Sequence, residues 1–518
     1  MGLCGSSSKK IMPKQEYDGT KDHKLEEGRT SSVKTQRLIK ESDDVKVEDV
    51  YTISGALGSG ATSTVRKCTH KVTGDVFALK TLLLNRMTPE MREMLKSEVK
   101  IMKVLDHPNI IQLKRVFQED FKLHIVMECC GGGELFDRLL DNVSPKGRFD
   151  EKTTQKYCLE ITSALKYLHD NNICHRDLKL ENFLLTSKGK DAEIKVIDFG
   201  MSRSYLEGEK FVRTVGTIFY MAPEVVDSNI AYTESSDMWS FGVVVYAMLS
   251  GSFPFGGFGM SDEDCMKLIE KGTFSMKSTK WENVSDDAKD FVASLLIKDP
   301  LRRMSATDAL KHTFLTKTIS SLAIKNNGSG SGSEEGEGET ESLPVHTLRK
   351  FRQYSMFKRQ VLSVIAFTLG EAEIKSMRQA FNEFDVEKNG VVSFDEFALV
   401  MASKGMMEND EIKKLFSSLD QDQTGVIKYS EFLAACVNEK TMLNERRIID
   451  VFSRIDTDHT GNLSKDNLRE FLGNDIDDKT FNAVFNDLDL AHDGVVHLSE
   501  FRAMLMEKSG NITRKIDF

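Results

Sequence analysis

The sequence has few of the features that mark membrane, secreted and metal-binding proteins. Its longest apolar run, residues 241–251, is far shorter than the roughly 20 residues that cross a bilayer. No apolar segment of the kind found in secretory signal peptides opens the chain. The eight cysteines are scattered without a metal-ligand spacing, which is typical of reduced cytosolic thiols. These absences predict a protein that resides inside the cell.

Positive charge is in deficit as well. The 518 residues include 70 Lys and Arg against 80 Asp and Glu, so the formal net charge is −10 and nucleic acid is not expected as a partner. With 40% hydrophobic and 29% charged residues and only eight prolines, the composition is that of soluble globular proteins. One hydrophobic core does not support a chain of this length, so we expect roughly two to four domains.

Composition divides the chain into five parts. Residues 1–48 are polar and of mixed charge, and we expect them to be disordered. Residues 51–314 are dense in apolar runs and predict one large α/β domain, the first domain. A Gly/Ser/Glu-rich linker at 315–346 precedes a basic segment at 347–369. The second domain, 370–508, alternates helical patterns with Asp/Gly-rich loops spaced 33 to 36 residues apart, which indicates an internal repeat.

The first domain opens with a glycine loop, LGSGATSTV, and continues into an apolar strand that ends in a lysine. Gly58 and Gly60 let the backbone close over phosphate oxygens because no Cβ stands in the way. This is weak evidence alone, since glycine clusters also make plain hairpins. Lys80 needs an anionic partner in its apolar strand, and Glu98, in a helical pattern, can supply one.

A second group of motifs predicts phosphoryl transfer. In HRDLKLEN, residues 175–182, Asp177 can accept a hydroxyl proton and Lys179 can neutralise charge on the moving phosphoryl group. Asn182, on the same short loop, can ligate a metal ion. DFG follows the next apolar strand, and its Asp198 offers a second metal contact. An unrelated α/β domain is not expected to carry these elements in this order.

These residues resemble the eukaryotic protein kinase family over the whole of 51–314. The resemblance implies a bilobal α+β fold that binds ATP and Mg²⁺ between a β-rich lobe and a helical lobe. The catalytic residues that it implies are Lys80, Asp177, Lys179 and Asn182, and the Mg²⁺ ligands are Asn182 and Asp198. The ATP-binding residues that it implies are Leu57, Gly58, Gly60, Val65, Ala78, Lys80, Glu98, Glu128, Cys130, Glu134 and Asp198.

The same resemblance extends to the hinge and to one structural ion pair. Glu128 to Cys130 match the hinge that hydrogen-bonds adenine, and Arg303 matches the partner of Glu224 in the APE motif. One departure is that Ser63 replaces the third glycine of the loop.

Substrate preference and activation are also implied by position. Glu134 and Glu181 match positions where related kinases meet an arginine upstream of the target hydroxyl, although Glu134 alternatively bonds only the ATP ribose. Lys179 is typical of serine/threonine kinases. Arg213 stands where related enzymes often place an acid or a phosphorylation site, and the candidates to serve instead are Thr214, Glu207 and Glu209.

The loops of the second domain fit the pattern of calcium-binding EF-hands, with oxygen ligands at positions 1, 3, 5, 7, 9 and 12 and glycine at 6. The second loop, 420–431, has every key side chain, while the first, third and fourth begin at 385, 456 and 489. The predicted ligands are Asp385, Glu387, Asn389, Val391 and Glu396; Asp420, Asp422, Thr424, Val426 and Glu431; Asp456, Asp458, Thr460 and Asn462; and Asp489, Asp493, Val495 and Glu500.

Three loops depart from the pattern. Glu387 is longer than usual at position 3, Asn467 cannot give a bidentate carboxylate at position 12, and Ala491 supplies no ligand. We expect weak calcium binding in the third loop, or competition by Mg²⁺. A single Asp/Gly loop is often only a turn. Loops in register with glycine at position 6 and an apolar residue at position 8 instead resemble calmodulin, an all-α domain of four EF-hands.

The basic segment has five cationic side chains and no acid. Phe357, Val361, Val364 and Ile365 fall on one face of the predicted helix. A calmodulin-like domain binds such helices in its groove. Alternatively, the helix lies on an anionic membrane surface or is an ordinary packing helix. Ser355 follows Arg352 by three residues and is a candidate autophosphorylation site.

Kinase, basic junction and EF-hands in this order resemble the calcium-dependent protein kinases of plants and apicomplexan parasites, over about 51–508. The resemblance implies a Ca²⁺-activated serine/threonine kinase with protein substrates. It also implies a junction helix that blocks or distorts the site at low calcium and that the EF-hand module captures or displaces when Ca²⁺ binds. Two rival interpretations are a calcium-responsive scaffold with weak catalysis and a kinase whose EF-hands only buffer calcium.

The N-terminal MGLCGS matches the N-myristoylation pattern, with Gly2 as the acylated residue and Cys4 as a palmitate acceptor. Two acyl chains would hold the protein on the cytoplasmic face of a membrane. The alternative is a disordered tail that fits a short pattern by chance. We expect a monomer.

Overall fold

The computed structural model describes residues 41–42, 45–59, 63–141, 148–200, 202–204, 218–226, 233–257, 259–317, 343–405, 408–473 and 476–506. Gly2, Cys4, Gly60, Glu207, Glu209 and Thr214 lie outside the described residues, so the expectations for them stay predictions.

Short strands and long helices alternate along the described chain. The strands are β1 Glu41–Ser42, β2 Tyr51–Ser59, β3 Ser63–His70, β4 Val76–Leu83, β5 Leu113–Glu119, β6 Lys122–Glu128, β7 Ile173–Cys174, β8 Phe183–Leu185, β9 Ile194–Val196, β10 Arg203–Ser204, β11 Val391–Ser393 and β12 Val426–Lys428. The helices of the first domain are α1 Val47–Val50, α2 Pro89–Val104, α3 Leu135–Asp141, α4 Glu151–Asp170, α5 Pro223–Val226, α6 Ser235–Ser250, α7 Asp262–Lys271, α8 Asp286–Leu295 and α9 Ala306–Lys311.

Helices account for most of the remainder. They are α10 Leu343–Arg352, α11 Met356–Thr368, α12 Glu371–Phe384, α13 Phe394–Ser403, α14 Asn409–Leu419, α15 Tyr429–Cys436, α16 Glu439–Met442, α17 Glu445–Ile455, α18 Lys465–Leu472, α19 Asp478–Leu488 and α20 Leu498–Met506. In the described ranges, none of the helices combines the length and the apolar character that crossing a bilayer requires.

The N-terminal lobe of the first domain is a six-stranded sheet in the order β1-β5-β6-β4-β3-β2. β1 runs parallel to β5, and the other neighbours are antiparallel. Helix α2 begins at Pro89, where the Thr88 side chain accepts the N–H of Met91, a common way to start a helix. Strand β4 therefore presents Lys80 to the helix that carries Glu98.

The sheet begins earlier than the sequence indicates. β1 pairs with β5, and Val47 of α1 is fully buried, with its N–H donated to Glu119 Oε1 at 2.8 Å. The expectation of disorder is therefore wrong for residues 41–42 and 45–48. The polar composition concealed this segment because its few valines stand among charged residues.

The C-terminal lobe is built around α6, whose mostly apolar sequence is buried along almost its whole length. Two small sheets, β7 with β10 and β8 with β9, hold the segments between α4 and α5. The lobe extends past residue 314, because 315–317 are helical and Leu315 is fully buried. The predicted linker is therefore shorter at its start.

Helix–loop–helix units make up the second domain: α12 with α13, α14 with α15, α17 with α18, and α19 with α20. β11 pairs with β12, and Leu463 bridges Val496, so the loops associate as first with second and third with fourth. The residues at position 8 of the loops, Val392, Ile427, Leu463 and Val496, are all fully buried.

The basic segment forms two helices where its periodicity predicts one. α10 ends at Arg352, and α11 begins after Ser355, whose hydroxyl accepts the N–H of Lys358 at 3.3 Å. Ser355 is thus a helix N-cap, a position that serine favours. Helical structure starts at Leu343, which also shortens the predicted linker at its end.

Candidate functional site

Lys80 and Glu98 form an ion pair between the sheet and α2. Lys80 Nζ lies 2.8 Å from Glu98 Oε1, and Glu98 is buried. Burial acts to lower the pKa of Lys80, but the carboxylates of Glu98 and Asp198 outweigh it, so the pKa is raised. Lys80 is therefore a fixed positive charge, which suits binding of phosphate oxygens.

Asp198 lies next to this pair in a left-handed backbone conformation, with φ of 65°. Its Oδ1 accepts the N–H of Gly200 at 3.3 Å. A Cβ at Gly200 would lie 3.1 Å from Asp198 Oδ1 and 3.4 Å from Glu98 Oε2. Glycine at this position therefore leaves the two carboxylates close to each other and to Lys80, and the strained backbone is typical of functional positions.

The predicted catalytic residues of the 175–182 loop converge on Asp177. Lys179 Nζ lies 2.6 Å from Asp177 Oδ2, and Asn182 Nδ2 donates to the same oxygen at 3.1 Å. Asn182 Nδ2 also lies 2.8 Å from the backbone oxygen of Asp177. These bonds hold a carboxylate at the end of the loop in one orientation, where it can accept a proton.

Asp237 on α6 anchors the catalytic loop, a role that the sequence did not indicate. Its carboxylate accepts the backbone N–H groups of His175 at 2.9 Å and Arg176 at 2.8 Å, and His169 Nε2 lies 3.0 Å away. Arg176 has φ of 67°, a strained conformation that the two bonds maintain. The sequence signal that could have pointed to Asp237 was an acidic residue in a mostly apolar helix, because a buried carboxylate needs polar partners.

The ion pair between Arg303 and Glu224 is present. Arg303 Nη1 and Nη2 lie 2.5 and 2.9 Å from the two carboxylate oxygens of Glu224, and both side chains are buried. Arg303 also donates to the backbone oxygens of Ser235 and Ile297 at 2.7 and 3.0 Å. This bidentate pair ties α5 to the C-terminal lobe.

The side chain of Glu128 is bonded to other groups of the protein. Its Oε1 lies 2.8 Å from Lys195 Nζ and accepts the N–H of Gln112 at 2.8 Å, so only the backbone of Glu128 is left to meet a ligand. Cys130 follows in a half-buried position, and burial raises the pKa of its thiol. A Cβ at Gly132 would lie 2.3 Å from the backbone oxygen of Ser187, so the segment after the hinge requires glycine there.

The predicted residues of the glycine loop lie on adjacent strands above Lys80. Gly58 pairs with Val65, and Val65 pairs with Lys80. Ala78 is buried in β4, whereas Leu57 is half exposed. Asp198 lies near Lys80 of this sheet, close enough for its carboxylate to raise the pKa of the lysine.

Glu134 and Glu181 lie close enough to influence each other. Burial raises the pKa of the Glu134 carboxyl, and the carboxylates of Asp137 and Glu181 raise it further. Tyr220 donates its hydroxyl to Glu181 Oε2 at 3.4 Å. The cluster is therefore a site where a cation would be stabilised.

The four loops of the second domain share one hydrogen-bond pattern. In each, the carboxylate at position 1 accepts the backbone N–H groups of positions 5 and 6 at 2.8 to 3.1 Å. The glycines at position 6 have φ from 82° to 89°, a region where other residues are strained. The backbone therefore curls around the place where a cation would be coordinated.

The second loop brings three carboxylates together. One oxygen each from Asp420, Asp422 and Glu431 lies within 4.8 Å of the others, the one such group among the described residues. Burial raises the pKa of Glu431 to about 8, with further contributions from Asp422 and Asp420. The buried Lys428 Nζ lies 2.7 Å from Asp422 Oδ2 and offsets part of this negative charge, and the crowded carboxylates suit a hard divalent cation.

The third and fourth loops differ at the positions that the sequence singled out. Asn467 Oδ1 accepts the N–H of Ser464 at 2.9 Å, and its Nδ2 donates to Thr457 Oγ1 at 2.9 Å. The fourth loop lacks a side-chain ligand at Ala491, but Glu500 Oε1 accepts the N–H of this residue at 2.8 Å, as Glu396 accepts that of Glu387 in the first loop. His497 connects the two loops, with its ring nitrogens 2.7 Å from Asn462 Oδ1 and 2.8 Å from an Asp493 carboxylate oxygen.

The second domain encloses α11. The Phe357 ring lies 5.8 Å from the ring of Phe471 and 5.9 Å from that of Phe501, and the other apolar residues of its face are buried in the same core. Lys358 is buried as well, with Nζ donating to the backbone oxygen of Leu505 at 2.8 Å. The basic residues of α11 therefore do not all lie on a solvent-exposed face.

The second domain also contacts the first domain on the side of β4, β5 and β9. Lys114 is buried, with Nζ 2.5 Å from the backbone oxygen of Phe367 at the end of α11. Charged contacts between the two domains join Asp75 with Arg447, Glu193 with Arg378, His70 with Asp450, and Asp191 with Lys375. None of these long-range contacts is visible in the sequence.

Comparison with protein families assigns both parts of the chain. Residues 51–315 match the protein kinase domain, and residues 374–437 and 445–506 each match the EF-hand domain pair.

The chain is similar to curated calcium-dependent protein kinases of plants. It is 35% identical to calcium-dependent protein kinase 29 of Arabidopsis thaliana over 89% of this chain and 83% of that protein. It is 32% identical to calcium-dependent protein kinase 20 of Oryza sativa subsp. japonica over 95% and 86%. For calcium-dependent protein kinase SK5 of Glycine max the identity is 33%, over 90% and 89%.

Proposed function

The chain belongs to the calcium-dependent protein kinases, which makes it a Ca²⁺-activated serine/threonine kinase of calcium signalling, and we propose how its residues perform and control the reaction. One observation carries the proposal: Asp177 is bonded to Lys179 and Asn182, and the Lys80–Glu98 ion pair is formed next to Asp198.

Asn182 and Asp198 would hold Mg²⁺, which would supply positive charge against the ATP phosphates. The donors fit this role, because Asn182 bonds Asp177 through Nδ2 and so presents its amide oxygen, while Asp198 presents a carboxylate. Lys80 holds the phosphate oxygens. Asp177 accepts the proton of the substrate hydroxyl while the hydroxyl oxygen bonds to the γ-phosphorus. The bond between that phosphorus and ADP breaks, and ADP leaves. Lys179 stabilises the negative charge on the phosphoryl group that is transferred.

Glu134 and Glu181 select substrates with an arginine upstream of the target hydroxyl. The mutual influence of these carboxylates supports this role, since a guanidinium between them would offset their repulsion and bond both.

The substrate preference is tested by steady-state kinetics with an Arg-x-x-Ser peptide and its Ala-x-x-Ser analogue. Glu134→Gln should raise KM for the arginine peptide about tenfold or more and leave KM for ATP unchanged, because one charge-assisted bond is lost. Glu263→Gln, at an exposed carboxylate of α7, is the control. A rise in KM for ATP instead would assign Glu134 to the ribose.

Calcium acts through the captured junction. We infer that the arrangement with α11 enclosed by the EF-hand region and the region docked behind the cleft is the active one. At low calcium the EF-hands close and release α11, which then obstructs the substrate site. The buried face of Phe357, Val361, Val364 and Ile365 supports this role for the helix.

Four EF-hand loops bind cations with unequal strength. The second loop has the full carboxylate set and binds Ca²⁺ most tightly. The first and fourth follow, and the third is weakest because Asn467 offers one amide oxygen where the others offer a carboxylate.

Acylation and phosphorylation complete the proposed function. Myristate on Gly2 and palmitate on Cys4 hold a monomeric enzyme on the cytoplasmic face of a membrane. Gly2→Ala should move the expressed protein from the membrane fraction to the supernatant. Thr214 and Ser355 are the proposed phosphorylation sites, and Ser355 is exposed at the start of α11.

A further inference from the structure

The second calcium loop also forms a contact with the kinase domain. Ser430, at position 11 of this loop, donates its backbone N–H to Asp106 Oδ2 at 3.1 Å and its hydroxyl to the same oxygen at 2.7 Å. The next residue, Glu431, belongs to the carboxylate group of the loop. The docking contact and the cation site are therefore adjacent along one turn of backbone.

Asp106 lies where the docking contact can reach the catalytic machinery. It follows the end of α2 by two residues, and α2 carries Glu98, the partner of Lys80. Asp106 is buried, and its backbone nitrogen lies 3.0 Å from the hydroxyl of Tyr167 in the C-terminal lobe. The segment after α2 is thus held from both the C-terminal lobe and the calcium loop.

The first loop touches the neighbouring residue of the same segment. A Cβ at Gly390, position 6 of the first loop, would lie 2.1 Å from Cδ2 of His107. His107 is buried, with Nε2 3.0 Å from Ser163 Oγ. The first and second calcium loops therefore contact the segment that follows α2, the first loop at His107 and the second loop at Asp106.

A small cavity adjoins the contact and connects it with the hinge. Asp106, Tyr429, Glu128 and Lys195 line it. Asp106 Oδ1 and the Tyr429 hydroxyl are buried without a hydrogen-bond partner among the described residues, which is unfavourable unless a water molecule bridges them. Polar atoms of both domains thus converge where the hinge residue Glu128 lies.

We propose that Asp106 is a positioning residue through which the second calcium loop, when filled, holds α2 and the Lys80–Glu98 pair in the active position. The proposal rests on the proposed function and adds a route from one calcium loop to the ATP site. Because binding couplings are reciprocal, the docked kinase domain should in turn favour Ca²⁺ binding in that loop.

The chain offers a matched control. Ser499 occupies position 11 of the fourth loop, is exposed and precedes Glu500 as Ser430 precedes Glu431. Ser430→Ala and Ser499→Ala remove the same hydroxyl from equivalent loops, and only the first removes a contact with Asp106. Asp106→Ala and the double variant complete a cycle that isolates the coupling.

The experiment measures kcat and KM for ATP over buffered free Ca²⁺ with the full chain. Ser430→Ala should raise the half-activating Ca²⁺ concentration several-fold, since loss of a hydrogen bond to a charged group shifts equilibria by that order. It should also raise KM for ATP at intermediate calcium, while kcat at saturating calcium stays within about twofold. Ser499→Ala should leave both quantities unchanged.

The outcomes distinguish failure of the proposed function from failure of the coupling through Asp106. If the wild-type chain shows no calcium activation, the proposed function fails. If the wild type is activated but Ser430→Ala behaves as Ser499→Ala does, or if the effects of Ser430→Ala and Asp106→Ala are additive, the coupling is overturned. Equal melting temperatures in EGTA for wild type and Ser430→Ala would show that the variant is folded, so a shift in calcium response would not be due to unfolding.

Discussion

Carboxylates perform different tasks in the two halves of the chain, and their surroundings decide which. Asp177 receives bonds from Lys179 and Asn182, which hold its carboxylate in one orientation. Glu431, by contrast, is buried, and burial raises its pKa, with a smaller contribution from the neighbouring carboxylates of Asp422 and Asp420. The first arrangement suits proton transfer, and the second suits a divalent cation.

Asp177→Asn should reduce kcat by at least about a hundredfold, because an amide cannot accept the hydroxyl proton. Calcium binding and ATP binding should persist, since neither uses this carboxylate. The measurement is phosphate transfer to a peptide alongside calorimetric titration with Ca²⁺. Asp170→Asn, at a surface ion pair with Lys166, is the control and should retain activity. Near-normal turnover by Asp177→Asn would remove the assigned base.

Glu160 should make stability depend on pH. Burial raises its pKa to about 7, and the Glu193 carboxylate adds to the shift, so the folded chain binds more protons here than the unfolded chain between about pH 4.5 and 7. This contribution to stability is present below pH 4.5 and is lost as the pH rises through 7.

Glu160→Gln keeps the shape and can still accept the N–H of Ile194. Its stability relative to wild type should therefore increase from pH 5 to pH 8 by on the order of 2 kcal/mol. Denaturant unfolding of both proteins at the two pH values checks this. A constant difference across the range would contradict the assignment.

Residues with local motifs could be predicted from sequence, and residues with long-range partners could not. Asp177, Lys179 and Asn182 lie on one short loop, so their spacing alone implies that they meet. Asp237 reaches the same loop from about 60 residues away, and its partners in that loop are backbone N–H groups, which no side-chain pattern reveals.

At the scale of elements, the junction is where sequence and structure differ most. Its apolar periodicity predicts one helix over 347–369, yet the helix is interrupted between Arg352 and Met356. Neither Pro nor Gly marks the break, and the N-capping bond of Ser355 becomes recognisable only with the structure. The face that binds the EF-hand region nevertheless follows the periodicity, because burial selects one side of a helix.

Phe357→Ala should weaken capture of α11, because it removes a ring buried against Phe471 and Phe501. Large-to-small changes in cores cost about 3 to 5 kcal/mol, enough to raise the half-activating Ca²⁺ concentration tenfold or more. Met356→Ala, at the neighbouring and partly exposed residue, is the control. Calcium titrations of activity compare the two, and similar curves would exclude capture through this face.

At the scale of the molecule, the contacts between the domains define a single docked arrangement. The fork of Arg447 is buried, with Nη1 3.1 Å and Nη2 3.3 Å from the two carboxylate oxygens of Asp75. The two residues are 372 positions apart in sequence. The two domains and their order were predictable from motifs, whereas this docking surface depends on pairs of single residues and left no pattern.

Arg447→Asp should separate the domains, because it places a third carboxylate beside Asp75 and Glu373. Breaking a buried ion pair costs about 3 to 5 kcal/mol. Small-angle scattering in Ca²⁺ should give a larger radius of gyration for this variant, and adding Asp75→Arg should reverse part of the change. An unchanged radius for Arg447→Asp would contradict the docked arrangement.

The central claim is that calcium activates this kinase through its own EF-hand region. The most direct measurement is ³²P transfer from ATP to an Arg-x-x-Ser peptide by the purified chain, with free Ca²⁺ or with EGTA and without calmodulin. The account predicts activity at least tenfold higher with Ca²⁺, because capture of α11 frees the substrate site. Equal activity in the two conditions would contradict it.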